Sequence, residues 1–240
     1  WSGDAQIFCG TASYLFDFRT FARKYLNDLY DWQKANGKLP QIAPEGGTDF
    51  YMKAMDGCVG WPDAGIIIPY VLWKRYGDLD TVQRYWEGMV RYAAFQQKRC
   101  GKPYPTAKRI AGLSAEDRKY INNYGQAYGE WAEPQDVNPQ TWKTCVVTHP
   151  ETATAYTAYT MSLMAEMADT LGKTAEAEDY RAFSQGCKKA YQALMRSKTY
   201  SLDTDRQAQL TRALYFDLLD QEQKAYAEKR LIQALEHYGW

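Results

Sequence analysis

Apolar residues recur at alternating steps of three and four along most of this chain, and that spacing commits it to helices packed face against face. From Ser13 to Asn36 they fall at Leu15, Phe18, Ala22, Tyr25, Leu29 and Trp32, which predicts one long helix ended by Gly37. A second helix is expected from about Trp61 to Tyr76, with Gly77 in the C′ position and Asp78 as N-cap of a third carrying Leu79, Val82, Trp86, Met89 and Ala93 on one face. Beyond Glu151, Tyr159, Leu163, Met167 and Leu171 stripe one helix, and Tyr180, Phe183, Cys187, Ala190 and Leu194 stripe its partner. Leu210, Leu214 and Leu218 lead to Asp220, which is expected to cap a last helix with Ala227, Leu231 and Leu235 inward. Strand patterns are almost absent, Cys145 to Thr148 being the exception. The expected fold is all-α, built of antiparallel helical hairpins.

Long loops alternate with the short turns. Pro40, Pro44, Gly46, Gly47 and Gly57 mark one before Trp61; a larger insert rich in Tyr and Trp runs from Gly101 to Pro150, where Ser114-Ala115-Glu116-Asp117 starts at most a short helix. An open solenoid of helix pairs is the alternative arrangement, although no fixed repeat recurs. A closed barrel of hairpins instead gathers the long loops at one end, over a pocket floored by helix N-termini.

Several function classes lack material. Lys plus Arg and Asp plus Glu both number 29, so no net field favours nucleic acid or an anionic membrane. The longest apolar stretch, Ala64 to Trp73, is about half of what crosses a bilayer. Cys9, Cys58, Cys100, Cys145 and Cys187 form no close pair and are expected to be buried free thiols, which leaves the compartment open between cytoplasm and periplasm. His149 and His237, the only histidines, give little for a histidine-based metal site or nucleophilic triad, and Gly46-Gly47 lacks the following Lys-Ser and preceding strand of a phosphate loop. No cofactor or metal is expected. Aromatics make up 15% of the chain, with 20 Tyr and 8 Trp, and such flat amphipathic rings line carbohydrate clefts.

Carboxylates remain as the reactive groups, and three sets lie beside tryptophan. Asp4 follows Trp1 in Trp1-Ser2-Gly3-Asp4-Ala5-Gln6; Asp63 follows Trp61 in Gly60-Trp61-Pro62-Asp63-Ala64; Glu130 and Glu133 flank Trp131 in Gly129-Glu130-Trp131-Ala132-Glu133-Pro134. Glycoside hydrolysis needs an acid to protonate the leaving oxygen and a base to activate water, with further acids for sugar hydroxyls and indole faces for the apolar side of the ring. Capping by Asp4 and Asp63, and solvated loop positions for Glu130 and Glu133, are the alternative roles.

The first of these motifs with Thr11-Ala12 behind it, then the second, then Tyr128-Gly129-Glu130-Trp131, resemble the successive signatures of bacterial α-L-rhamnosidases of glycoside hydrolase family 78. Pro150-Glu151-Thr152-Ala153-Thr154-Ala155-Tyr156, Leu171-Gly172-Lys173 and Ala213-Leu214-Tyr215-Phe216 are similar to later helices of the same domain, so the likeness covers nearly the whole chain. The resemblance implies an (α/α)6 barrel, of which residues 1–240 would be the central part, and inverting hydrolysis of terminal α-L-rhamnose from glycosides or polysaccharides. It implies Asp4 and Glu130 as catalytic-site carboxylates, Asp4 binding hydroxyls or assisting the acid. Trp1, Trp61 and Trp131 would be aromatic walls, with Asp63 and Glu133 substrate-binding. Glu130 stands where the family more usually has aspartate, one methylene shorter. The family's general acid would precede Trp1 and its general base would follow Trp240. Two rival readings are another six-hairpin glycosidase or polysaccharide lyase, and a non-enzymatic helical binding scaffold.

Overall fold

A proline inside a helix removes one backbone donor, and the way this chain meets that loss shows how its first hairpins are joined. Pro69 lies within the helix Ala64–Tyr76, so the Gly65 carbonyl one turn earlier has no helical partner. The Tyr30 hydroxyl supplies it, donating to Gly65 O at 2.7 Å, while its ring stacks on Tyr85 with centroids 4.9 Å apart. One partly buried tyrosine thus ties three helices together.

The computed structural model describes all residues except Thr48, Asp49, Thr106, Lys108, Gly239 and Trp240, together with the side chains of Tyr51, Trp142 and Cys145. Its helices are α1 (Ser2–Leu15), α2 (Arg19–Asp31), α3 (Phe50–Ala54), α4 (Ala64–Tyr76), α5 (Leu79–Gln97), α6 (Ala115–Arg118), α7 (Trp142–Cys145), α8 (Pro150–Thr170), α9 (Thr174–Met195), α10 (Gln207–Tyr215) and α11 (Gln221–His237). The fold is all-α and built of hairpins; among the described residues the only β pairing is an isolated bridge between Ala127 and Val147. No described helix is long and apolar enough to cross a membrane. Cys9, Cys58, Cys100 and Cys187 are buried free thiols; Cys145, expected to be the fifth, lies outside the described side chains.

The chain divides into two compact units, one of Trp1–Lys98 with Thr160–Arg181, the other of Arg99–Tyr159 with Ala182–Trp240. In the first, α1 and α2 pack on α4, and α4 on α5. Gly77 is left-handed (φ 69°) and closes α4; Asp78 caps α5 by accepting from Thr81 N at 3.2 Å and also receives Arg23 of α2 at 2.7 Å. The outer part of the α8–α9 hairpin joins this unit through Tyr70 O–H to Glu166 (2.9 Å) and Trp86 Nε1–H to Glu176 (3.2 Å). In the second unit, Ile110, Leu113 and Ile121 from the insert pack with Tyr191, Leu194, Leu210, Ala213, Leu218 and Ala227. Asp220 begins α11 with a capping box closed by Gln223.

Three expectations need correction. The helix placed at 13–36 is two: α1 ends at Leu15, Phe16 is extended, and Asp17 accepts from Arg19 N as α2 begins. The segment expected as strand, 145–148, is instead the end of α7 followed by one bridging residue, Val147. The long loop before Trp61 carries the short helix α3.

Candidate functional site

In the first unit, the first two tryptophan motifs meet. The Trp61 indole lies flat over Gly3 of α1, so close that a Cβ there would sit 2.9 Å from Nε1. Gln6, one turn along α1, donates Nε2–H to Gly60 O at 2.7 Å. Asp63 occupies the N-cap position of α4 without capping it. Its carboxylate turns back to accept Gly60 N–H (2.6 Å) and Tyr92 O–H (3.2 Å), and Gln96 donates to that same phenol oxygen at 2.6 Å. Asp63 is fully buried. Its carboxylate closes the Gly60–Trp61–Pro62 turn.

Trp1 and Asp4 are exposed at the start of α1. They line an open cleft of roughly 470 Å³ together with Phe8, Phe21, Tyr25 and Asp28. Tyr25 is buried and its hydroxyl has no hydrogen-bond partner among the described residues; burial, with Asp4 and Asp28 adding to it, pushes that hydroxyl well up from its ordinary pKa.

The third motif is set within the second unit. The Ala127–Val147 bridge carries the chain past the entrance of α8, and Gly129 (φ 60°) lies against the His149 ring, where a Cβ would come within 2.5 Å of Nδ1. His149 thus has a local packing role at the motif. The Glu130 carbonyl accepts from Gln140 Nε2 at 2.7 Å and Asn138 Nδ2 at 3.2 Å, fixing the loop, and its half-buried carboxylate meets Arg212 Nη1 of α10. The same guanidinium grips Glu151, in the first turn of α8, with Nη2 to Oε2 at 2.6 Å and Nε to Oε1 at 3.4 Å. Tyr191 O–H donates to Glu151 Oε1 at 2.6 Å.

Burial pushes the Glu151 carboxyl up, but the Arg212 charge and hydrogen bonds, with the Tyr191 hydroxyl, outweigh it and hold the carboxyl below its ordinary range. Burial would lower Arg212, yet Glu151 and Glu130 hold it above the usual arginine value. Glu133 accepts from Arg206 Nε at 2.8 Å and Asn138 Nδ2 at 2.6 Å, and its Oε1 is buried without a partner among the described residues. Its carboxylate, like that of Asp63, is engaged inside the protein. Trp131 is exposed.

The expected residues thus fall into two kinds. Asp4, Glu130, Trp1 and Trp131 present surface, with Trp61 partly covered, whereas Asp63 and Glu133 hold turns and loops. Exposed carboxylates accept hydroxyl protons and indoles take the apolar face of a sugar ring, so the chemistry available is polyol recognition. Among the described residues no group of three His, Cys, Asp or Glu is placed to hold a metal ion. Sequence reading missed Arg212, Arg206, Tyr191 and the inward role of Glu151. Arg212 lies 82 residues from Glu130 and 61 from Glu151, and Arg206 lies 73 from Glu133, so no local pattern announces them.

Residues 1–240 match the family described as bacterial alpha-L-rhamnosidase 6 hairpin glycosidase domain. The chain is 26% identical to an alpha-L-rhamnosidase of Streptomyces avermitilis, over 100% of this chain and 20% of that relative. It is 25% identical to one of Formosa agariphila, over 98% of this chain and 23% of the relative. The crystal structure of the Streptomyces avermitilis enzyme complexed with L-rhamnose superposes with a TM-score of 0.76 over the same shares. That of the Dictyoglumus thermophilum alpha-L-rhamnosidase, 27% identical, gives 0.76 over 97% of this chain and 23% of that one.

Proposed function

Since the chain belongs to the bacterial α-L-rhamnosidase six-hairpin glycosidase family, we propose that it supplies sugar-recognising residues to an enzyme that removes terminal α-L-rhamnose from glycosides with inversion. The observation that carries this reading is the junction of the first two motifs, where Trp61 is seated on Gly3 and tied through Gln6 and Gly60 to the helix that bears Asp4. An indole held rigidly beside an exposed carboxylate serves both the apolar and the hydroxyl-bearing side of a deoxy sugar.

In this reading Asp4 and Glu130 accept sugar hydroxyls, and Trp1, Trp61 and Trp131 are aromatic walls. Asp63 and Glu133 keep Trp61 and the Glu130 loop in place. Residues 1–240 are the central part of one (α/α)6 catalytic domain, and the pair of carboxyl groups that flank the bond, ~6.5 to 9.5 Å apart in inverting enzymes, belongs to segments outside them. The chain spans only 20% and 23% of the two relatives, which is in keeping with such a division.

The test is turnover on a panel of nitrophenyl glycosides. The intact parent protein should cleave the α-L-rhamnoside and not the other sugars, whereas the 240-residue chain should cleave none. Cleavage by the chain that vanishes in Glu130→Gln would place proton transfer at Glu130 and overturn this division of labour.

A further inference from the structure

Glu130, Arg212 and Glu151 form a line of alternating charge that runs from the surface inward. The Glu130 side chain is 27% exposed, Arg212 6% and Glu151 5%. Two carboxylates share one guanidinium, and they share it unequally. Glu151 takes the edge of the fork made by Nε and Nη2 and is itself pinned by Tyr191, which leaves Nη1 for Glu130. A guanidinium is planar and its five donors are fixed relative to one another, so anchoring one edge on a buried carboxylate fixes where the remaining donor points.

From this we infer that Arg212 is a positioning residue for substrate recognition: held by Glu151 and Tyr191, it fixes the Glu130 carboxylate so that one oxygen faces a sugar hydroxyl. The inference rests on the reading that Glu130 contacts the sugar. Among the described residues Arg212 alone bonds the Glu130 carboxylate, through Oε1, so Oε2 is the oxygen left for a ligand. The backbone of Glu130 is fixed separately, its carbonyl receiving both Gln140 and Asn138. With the backbone set by the loop and the carboxylate by Arg212, the three side-chain torsions between them have little freedom to lose when a hydroxyl binds. Charge balance agrees. Glu151 neutralises Arg212 in the interior, and the one excess negative charge of the trio stays at the partly exposed end, where a hydroxyl donor would meet it.

A double-mutant cycle on the 240-residue chain, read by calorimetric titration with L-rhamnose, tests this. Arg212→Lys keeps the charge but loses the fork. It should weaken rhamnose binding about tenfold in the native background and less than about twofold when Glu130 is already Gln. An equal loss in both backgrounds would show that Arg212 supports the fold and nothing more, and would overturn the inference while the Glu130 reading stands. Unchanged affinity in Glu130→Gln alone would overturn both. If Arg212→Lys does not fold, the isosteric Glu151→Gln loosens the same fork from the other side and should show the same dependence on Glu130.

Discussion

Trp61 is held on one side by a residue that must have no side chain. Alanine at Gly3 would improve helix propensity by up to about 1 kcal/mol, but its Cβ would press on an indole that cannot yield by bending. The two effects oppose each other in stability and not in geometry. Gly3→Ala should therefore shift the melting temperature little while displacing the Trp61 indole N–H resonance and weakening rhamnose binding. A native-like spectrum with native affinity would show that the close contact is unimportant. Glu151 gives a prediction in pH. Its carboxyl is lowered in the folded state, so its contribution is fully present above the ordinary value of 4.5 and is lost as pH falls through the folded pKa. The stability difference between the native chain and Glu151→Gln, measured by denaturant titration, should be largest at neutral pH, flat down to about pH 5, and smaller below. At this scale the sequence displays the acids and indoles because they are neighbours in the chain. It hides Arg212 and Arg206 because salt bridges across 61, 73 and 82 residues leave no spacing to read.

Helix ends account for much of what joins one element to the next. Asp220 caps α11 from a partly exposed position and pairs with Arg196, whereas Asp78 caps α5 from a buried one and also holds Arg23 of α2. Removing the first cap should destabilise the chain modestly. Asp78→Ala should cost more, about 2–4 kcal/mol, because the cap and the partner of Arg23 go together, though Arg23 is half exposed and its share is discounted for that. Equal costs in chemical denaturation would mean that the Arg23 contact adds nothing. Both caps were legible, since Asp after a helix-ending Gly and Asp before a polar first turn are local signals. The first helix was not. Its buried residues are Ser2, Gly3, Gln6, Cys9 and Ala12, small or polar throughout, while Ile7, Phe8, Tyr14 and Leu15 face out, so its inward side has no apolar stripe. Periodicity alone joins Leu15 and Phe18 in one continuous face and so carries the expected helix through the break at Phe16.

At the scale of the whole molecule, α1, the link that follows it and the start of α2 carry exposed apolar side chains, Ile7, Phe8, Leu15, Phe16 and Phe21 among them. A patch of this kind lowers solubility unless something covers it. The 240-residue chain should self-associate in sedimentation as its concentration rises, and Leu15→Glu with Phe21→Glu should reduce that association without lowering helix content. The central claim is that this hairpin fold presents tryptophans and acids to L-rhamnose, and the most direct measurement is an NMR titration of the indole N–H signals with L-rhamnose and, separately, with D-glucose. The account predicts saturable shifts of the Trp61 and Trp131 signals with L-rhamnose, the first reduced in Asp4→Asn and the second in Glu130→Gln, and neither present with D-glucose. Shifts that never saturate, or that are the same for both sugars, would contradict it.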